Sequence, residues 1–167
     1  MDCNPRLRLS ARFFKLFVFT EKIIYPAPVS HKSARIAAMI EALQGQELDA
    51  RYLGYFDCFN RQLFYEAHEV LEDLWLADRH GPDGNFYKGL IQLAGAYVPL
   101  QKNRLRPSAA LLKLARANFE AYPTRHEQLN LAAVQMLIAG WLTQLENGDF
   151  QSNPLTPQNR PQLLLQN

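Results

Sequence analysis

Phe59-Asn60-Arg61-Gln62-Leu63-Phe64-Tyr65-Glu66-Ala67-His68-Glu69-Val70-Leu71-Glu72-Asp73-Leu74-Trp75 is the stretch on which the fold turns. Its apolar residues recur with the period of a helix that buries one face. At about 100° per residue from Phe64, Leu71 falls near −20°, Trp75 near 20°, His68 near 40° and Glu72 near 80°. Ala67, Val70 and Leu74 complete the buried side, while Glu66, Glu69 and Asp73 point roughly opposite. His68 therefore stands at the margin of the apolar face. Glu72 follows one turn later, close enough to touch it or to share a ligand. The spacing predicts a helix from Arg61 or Gln62 to about Asp78.

The turn His80-Gly81-Pro82-Asp83-Gly84 separates this helix from the next. Phe86 to Lys102 is predicted helical, with Asp83 or Asn85 as its cap, and is apolar nearly all round. Such a helix belongs at the centre of a bundle. Its polar stripe is Lys88 and Gln92. Burying Lys88 unpaired would be costly, so it needs either a carboxylate, with Glu72 before Glu69 as the natural partner, or a route to solvent along its stem.

The pattern stays helical on both sides. Ser33 is placed to cap a helix through Ile36, Met39, Ile40 and Leu43, with Gly45 as its end. Leu48 to Phe59 carries a stripe of Leu48, Tyr52, Tyr55, Phe56 and Phe59, broken at Asn60. Pro107 with Ser108 opens another helix, which stops at Tyr122-Pro123. Thr124 or Arg125 opens the last, whose apolar side is Leu129, Ala133, Met136, Leu137, Gly140, Trp141 and Leu145, with Asn147-Gly148 closing it. The expected class is all-α: five to six helices in a compact bundle around a central apolar helix. No 34-residue period of the tetratricopeptide kind recurs, which makes a solenoid the weaker architecture.

A chain of 167 residues with 48% hydrophobic and 20% charged side chains is long enough for one self-supporting domain. We expect residues 31–150 to form it, followed by a Pro-rich tail, 151–167. Residues 1–30 read as a poorly ordered extension. An amphipathic anchor or organellar targeting peptide, or an element packing on the domain, are the competing readings of this basic, acid-poor segment. Cys3 and Cys58 lie in no ligand spacing and suit a reducing, cytoplasmic setting. No apolar run reaches the roughly 20 residues that span a bilayer.

Three accounts of the histidine helix stay open, one of them a pocket for a ligand or partner. His68, Glu72, Trp75 and Gln92 could form a buried hydrogen-bond network orienting two core helices. Alternatively His68 and Glu72 supply a metal or acid–base site. An imidazole and a carboxylate one turn apart suit a divalent metal. Against that, a zincin helix has a second histidine where Glu72 stands, and the Glu-x-x-His register of di-iron bundles is absent. His31, His80 and His126 fall in loops or helix starts.

These residues resemble a known family. Phe59 to Trp75 is similar to the FNxxxFYEAHExLExxW signature of the family named domain of unknown function 309, and Phe86-Tyr87-Lys88-Gly89-Leu90-Ile91-Gln92-Leu93-Ala94 to its second signature. The resemblance runs from about Leu53 to Tyr122 and implies a compact helical bundle with no assigned reaction. It marks His68, Glu69, Glu72, Trp75 and Gln92 as the characteristic polar positions. Where members usually carry a histidine late in the second helix, this chain has Val98-Pro99-Leu100, and Pro99 removes both the imidazole and a backbone donor.

Three functional classes follow. An enzyme would use His68 as base or ligand, Glu72 as its orienter and Lys88 for anionic charge. A binding module would expose Tyr52, Tyr55, Tyr65 or Tyr87 to a partner, or meet nucleic acid through Lys102, Arg104, Arg106, Lys113 and Arg116. A scaffold would pair copies through Trp141 and the last helix. Because no reaction machinery is complete, non-enzymatic binding or scaffolding is the expectation, with the metal or acid–base enzyme as the alternative.

Overall fold

A computed structural model describes residues 31–166; the readings made for residues 1–30, and Cys3 with them, lie outside it. The described residues form six helices and one small hairpin. In order they are α1 (His31–Ala42), α2 (Ala50–Asn60), α3 (Phe64–Ala77), α4 (Gly84–Gln101), α5 (Leu105–Phe119), β1 (Arg125–His126), β2 (Leu129–Asn130) and α6 (Leu131–Asn147). The all-α expectation is met, and no described helix is long and apolar enough to cross a membrane.

Helix α4 is central, as its composition requires. It packs against α3 on one side and α5 on the other. Phe86, Leu90, Leu93, Ala94, Ala96, Tyr97 and Leu100 are fully buried along it. Around Tyr97 the rings of Phe59, Phe64 and Trp141 lie at centroid distances of 5.6, 4.8 and 5.3 Å. Aromatic packing of this kind adds to the stabilisation from area burial. The buried Tyr55 hydroxyl donates to the Leu90 carbonyl at 2.8 Å, tying α2 to the core helix.

Helices α2, α4 and α6 end at, or within one residue of, the breaks read from sequence, and the three ends share one geometry. Gln62, Asn103 and Asp149 adopt left-handed φ values of 65°, 54° and 45°. After each, the chain closes back on the helix: Leu63 N–H bonds Cys58 C=O at 2.9 Å, Arg104 bonds Pro99 at 2.8 Å and Phe150 bonds Leu145 at 3.0 Å. This is the Schellman arrangement, in which glycine is the usual left-handed residue. None of the three is glycine here. The left-handed turn at Gln62 delays the start of α3 to Phe64. Replacing the exposed Asp149 by glycine is accordingly expected to raise stability by about 0.5–1 kcal/mol, read from urea denaturation midpoints.

Two other sequence readings are corrected. Ser33 lies inside α1, which already includes His31, and so is not at a cap position. Thr124 and Arg125 do not open α6: the chain first makes a hairpin with Arg125 opposite Asn130 and His126 opposite Leu129. Glu127 and Gln128 form its two-residue turn with φ of 46° and 58°, the type I′ geometry that matches strand twist. Asn130 then caps α6, its Oδ1 accepting the Ala133 N–H at 3.0 Å.

The segment after α6 is extended, as its prolines demand, and lies on the domain. Asn60 Nδ2 donates to Leu163 C=O and Asn60 Oδ1 accepts Leu163 N–H, both at 2.8 Å. Leu163 is buried, and Leu165 bridges to Leu129 of the hairpin.

Candidate functional site

The motif of α3 does not close into a sealed network. His68 and Glu72 face each other with Nε2 and Oε2 3.7 Å apart, their side chains 36% and 45% exposed. The His68 ring lies over Gly95 of α4, its Nδ1 3.7 Å from where a β-carbon would stand, with Leu111 of α5 just beyond at 3.9 Å. A glycine there lets the imidazole settle at the junction of three helices. Pro99, four residues on, has no N–H to offer the Gly95 carbonyl. Pro99 thus stands one helical turn from the glycine beneath the His68 ring.

The remaining motif residues separate. Gln92 is half-buried and directs its Oε1 to Asn118 Nδ2 of α5 at 2.7 Å, away from the His68 pair. Trp75 packs against the core, with its indole Nε1 buried and lacking an acceptor among the described residues. Lys88 is exposed. Of the two ways open to its ammonium, a carboxylate partner or a route to solvent, Lys88 takes the second, and no ion pair with Glu72 or Glu69 is formed among the described residues. Glu69 is exposed and its carboxylate, through a hydrogen bond, holds the Tyr65 phenol above its ordinary pKa. Glu66, read as pointing to solvent, is half-buried.

The other candidates divide as well. Tyr52 and Tyr55 are buried and Tyr87 is half-buried, which leaves Tyr65, at 57%, as the exposed one of the four. Trp141 is 4% exposed and edge-on to Tyr97 in the core, so it cannot pair copies of the chain as it stands. Within the basic group, Lys113 is held by Glu146 at 2.9 Å and the Arg106 guanidinium lies 4.5 Å over the Phe150 ring. Lys102, Arg104 and Arg116 are exposed. Cys58 is a buried free thiol, its pKa pushed up to about 11 chiefly by burial.

One constellation was missed. Among the described residues, metal-ligating side chains converge in a group of three at Asp83, His126 and Glu127, and not around His68 and Glu72. The sequence offered Asp83 as a helix cap and His126 as a loop histidine. Their meeting depends on the unforeseen hairpin.

Residues 52–111 match the family model described as domain of unknown function (DUF309). The match takes in most of α2, all of α3 and α4 and the first half of α5, and so contains His68, Glu72, Trp75, Lys88, Gln92, Gly95 and Leu111. Resemblance to that family is thereby shown over this span, while the hairpin, α6 and the final segment fall outside it. Comparison with curated proteins and with solved structures gives no match.

Proposed function

We propose that this helical domain is a non-enzymatic binding or scaffold module that presents the α3 motif face to a partner protein. The observation that supports the reading most directly is the half-exposed His68–Glu72 pair seated over Gly95. Polar side chains that served only to orient core helices would be sealed and fully paired. On the same helix Tyr65 and Leu76 leave 57% and 51% of their surface in water, and Leu114 of α5 leaves 52%. On α3 the sequence Tyr65, Glu69, Glu72, Leu76 forms one stripe at i, i+4, i+7 and i+11, with apolar residues at its ends and carboxylates between. Large apolar groups on a polar-rimmed face suit recognition of another protein.

The alternative, an acid–base or metal enzyme on His68 and Glu72, draws support from the solvent access of the imidazole. It lacks a third converging histidine, cysteine or carboxylate ligand among the described residues. Photo-crosslinking separates the readings. A benzophenone amino acid at position 65 is expected to give a discrete protein adduct in cells of the source organism, reduced severalfold when His68 and Glu72 are both alanine. The same group at position 136 of α6, where Met136 is 75% exposed, is expected to give none. Equal labelling from positions 65 and 136, or an adduct indifferent to His68 and Glu72, would remove the proposal.

A further inference from the structure

Asp83 occupies the N-terminal cap position of α4, yet its side chain makes no capping hydrogen bond. Its Oδ1 lies instead 2.7 Å from His126 Nε2. Glu127, the next residue of the hairpin, brings a carboxylate oxygen into the same space. One ligand atom from each of the three lies within 4.8 Å of the others, and all three residues are half-buried.

The surroundings hold these groups in place. The His126 ring stands edge-on to Phe86 at 4.7 Å and tilted against Tyr122 at 4.8 Å. Tyr122 in turn donates to the Pro82 carbonyl at 2.7 Å and accepts the Phe86 N–H at 2.9 Å, fixing the backbone on both sides of Asp83. The Tyr52 hydroxyl donates to the Glu127 carbonyl at 2.9 Å, which ties the turn to α2.

The charge of the site is unbalanced. Asp83 and Glu127 bring two carboxylates, and neither has a lysine or arginine ion-pair partner among the described residues. Nearby, Tyr87 has its pKa pushed up to about 12, first by burial and then by the charges of Asp83 and Glu127. Two carboxylates partly withdrawn from water call for a cation, and among the described residues the imidazole of His126 is the one side chain that meets them.

We infer that Asp83, His126 and Glu127 form a binding site for a divalent transition-metal ion of the zinc or manganese class. One imidazole nitrogen with two carboxylate oxygens favours such ions over magnesium or calcium, which take oxygen alone. Ligand bonds of about 2.0–2.2 Å place adjacent donor atoms roughly 3 Å apart. An ion would therefore replace the Asp83–His126 hydrogen bond after a separation of a few tenths of an ångström. Three protein ligands leave at least one coordination position to water. The ion would join the start of α4 to the hairpin, on residues distinct from the His68 pair.

Calorimetric titration of the tag-free full chain with zinc chloride, and separately manganese chloride, tests the site. The expected result is one saturable site for at least one of the two ions. Its affinity should fall at least tenfold in Glu127→Gln and Asp83→Asn, since loss of even an outer partner costs about 10–100-fold. His68→Ala should bind as the parent chain does. Glu127→Gln keeps the Asp83–His126 hydrogen bond, so an unchanged metal-free melting curve for it rules out loss of folding as the cause. Absence of binding for both ions, or equal affinity in Glu127→Gln and the parent, would overturn the inference. Weakening by His68→Ala in place of Glu127→Gln would also overturn it, by moving the metal to α3.

Discussion

Replacing Phe86 by alanine is expected to destabilise the domain by about 3–5 kcal/mol, among the largest effects a single truncation produces. Phe86 is fully buried in the first turn of α4. Its ring meets Tyr52 of α2 at 6.0 Å, Phe119 at the end of α5 at 6.2 Å, and Tyr87 at 5.4 Å. It also carries Tyr122 at 5.7 Å and His126 at 4.7 Å. Five rings, from α2, α4, α5, the loop after α5 and β1, thus lose a common neighbour at once. They are too large and too mutually constrained to collapse into the space, so the cavity contribution adds to the lost transfer energy. Domains of this size commonly hold only about 5–15 kcal/mol in all. Urea denaturation should show a midpoint shift of matching size, whereas truncating the exposed Tyr65 should stay within about 0.5 kcal/mol. A shift under 1 kcal/mol for Phe86→Ala would mean that the hairpin and α5 do not rest on this ring.

The core that Phe86 anchors was legible because its signal is local. Apolar periodicity in residues 64–75 and 86–101 states which faces are buried, and a helix apolar all round has few places to go but the centre. What escaped depends on backbone turns whose residues are unorthodox. A type I′ turn is ordinarily announced by Asn-Gly or Asp-Gly. Glu127-Gln128 carries no such mark, and Leu129 fits the stripe of the following helix equally well. The hairpin was therefore absorbed into α6, and with it went the meeting of His126 and Asp83. The same blindness explains Gln62, where a left-handed residue other than glycine hid the true start of α3. The last segment was legible as extended but not as docked. Nothing in its composition tells that Leu163 will reach Asn60 across 103 residues. For the His68 motif, the angular arithmetic rightly placed the imidazole at the edge of the buried face. It could not show that Gln92 prefers Asn118, because α5 enters that choice only in three dimensions.

Glycine to alanine, made at two places, should move stability in opposite directions, and the contrast isolates packing from backbone preference. Gly89 is buried in α4, where an added β-carbon would stand 2.6 Å from Cε1 and 2.9 Å from Cζ of Phe119. Phe119 is itself 1% exposed and in ring contact with Phe86, so it has no free volume to turn into. Overpacking of this kind costs about 1–3 kcal/mol, and the rigidity of the ring puts Gly89 at the upper end. Alanine's better helix propensity returns only about 1 kcal/mol, leaving a net loss of about 2 kcal/mol. Gly140 in α6 is exposed, with nothing within 4 Å of its added carbon. There the propensity gain stands alone, and Gly140→Ala should stabilise by up to about 1 kcal/mol. Denaturation curves for the two variants should therefore differ by about 3 kcal/mol. Equal shifts would show that α4 and α5 are separated at Gly89 by more than one hydrogen-sized gap, which would undo the tight α4–α5 contact on which the central position of α4 rests.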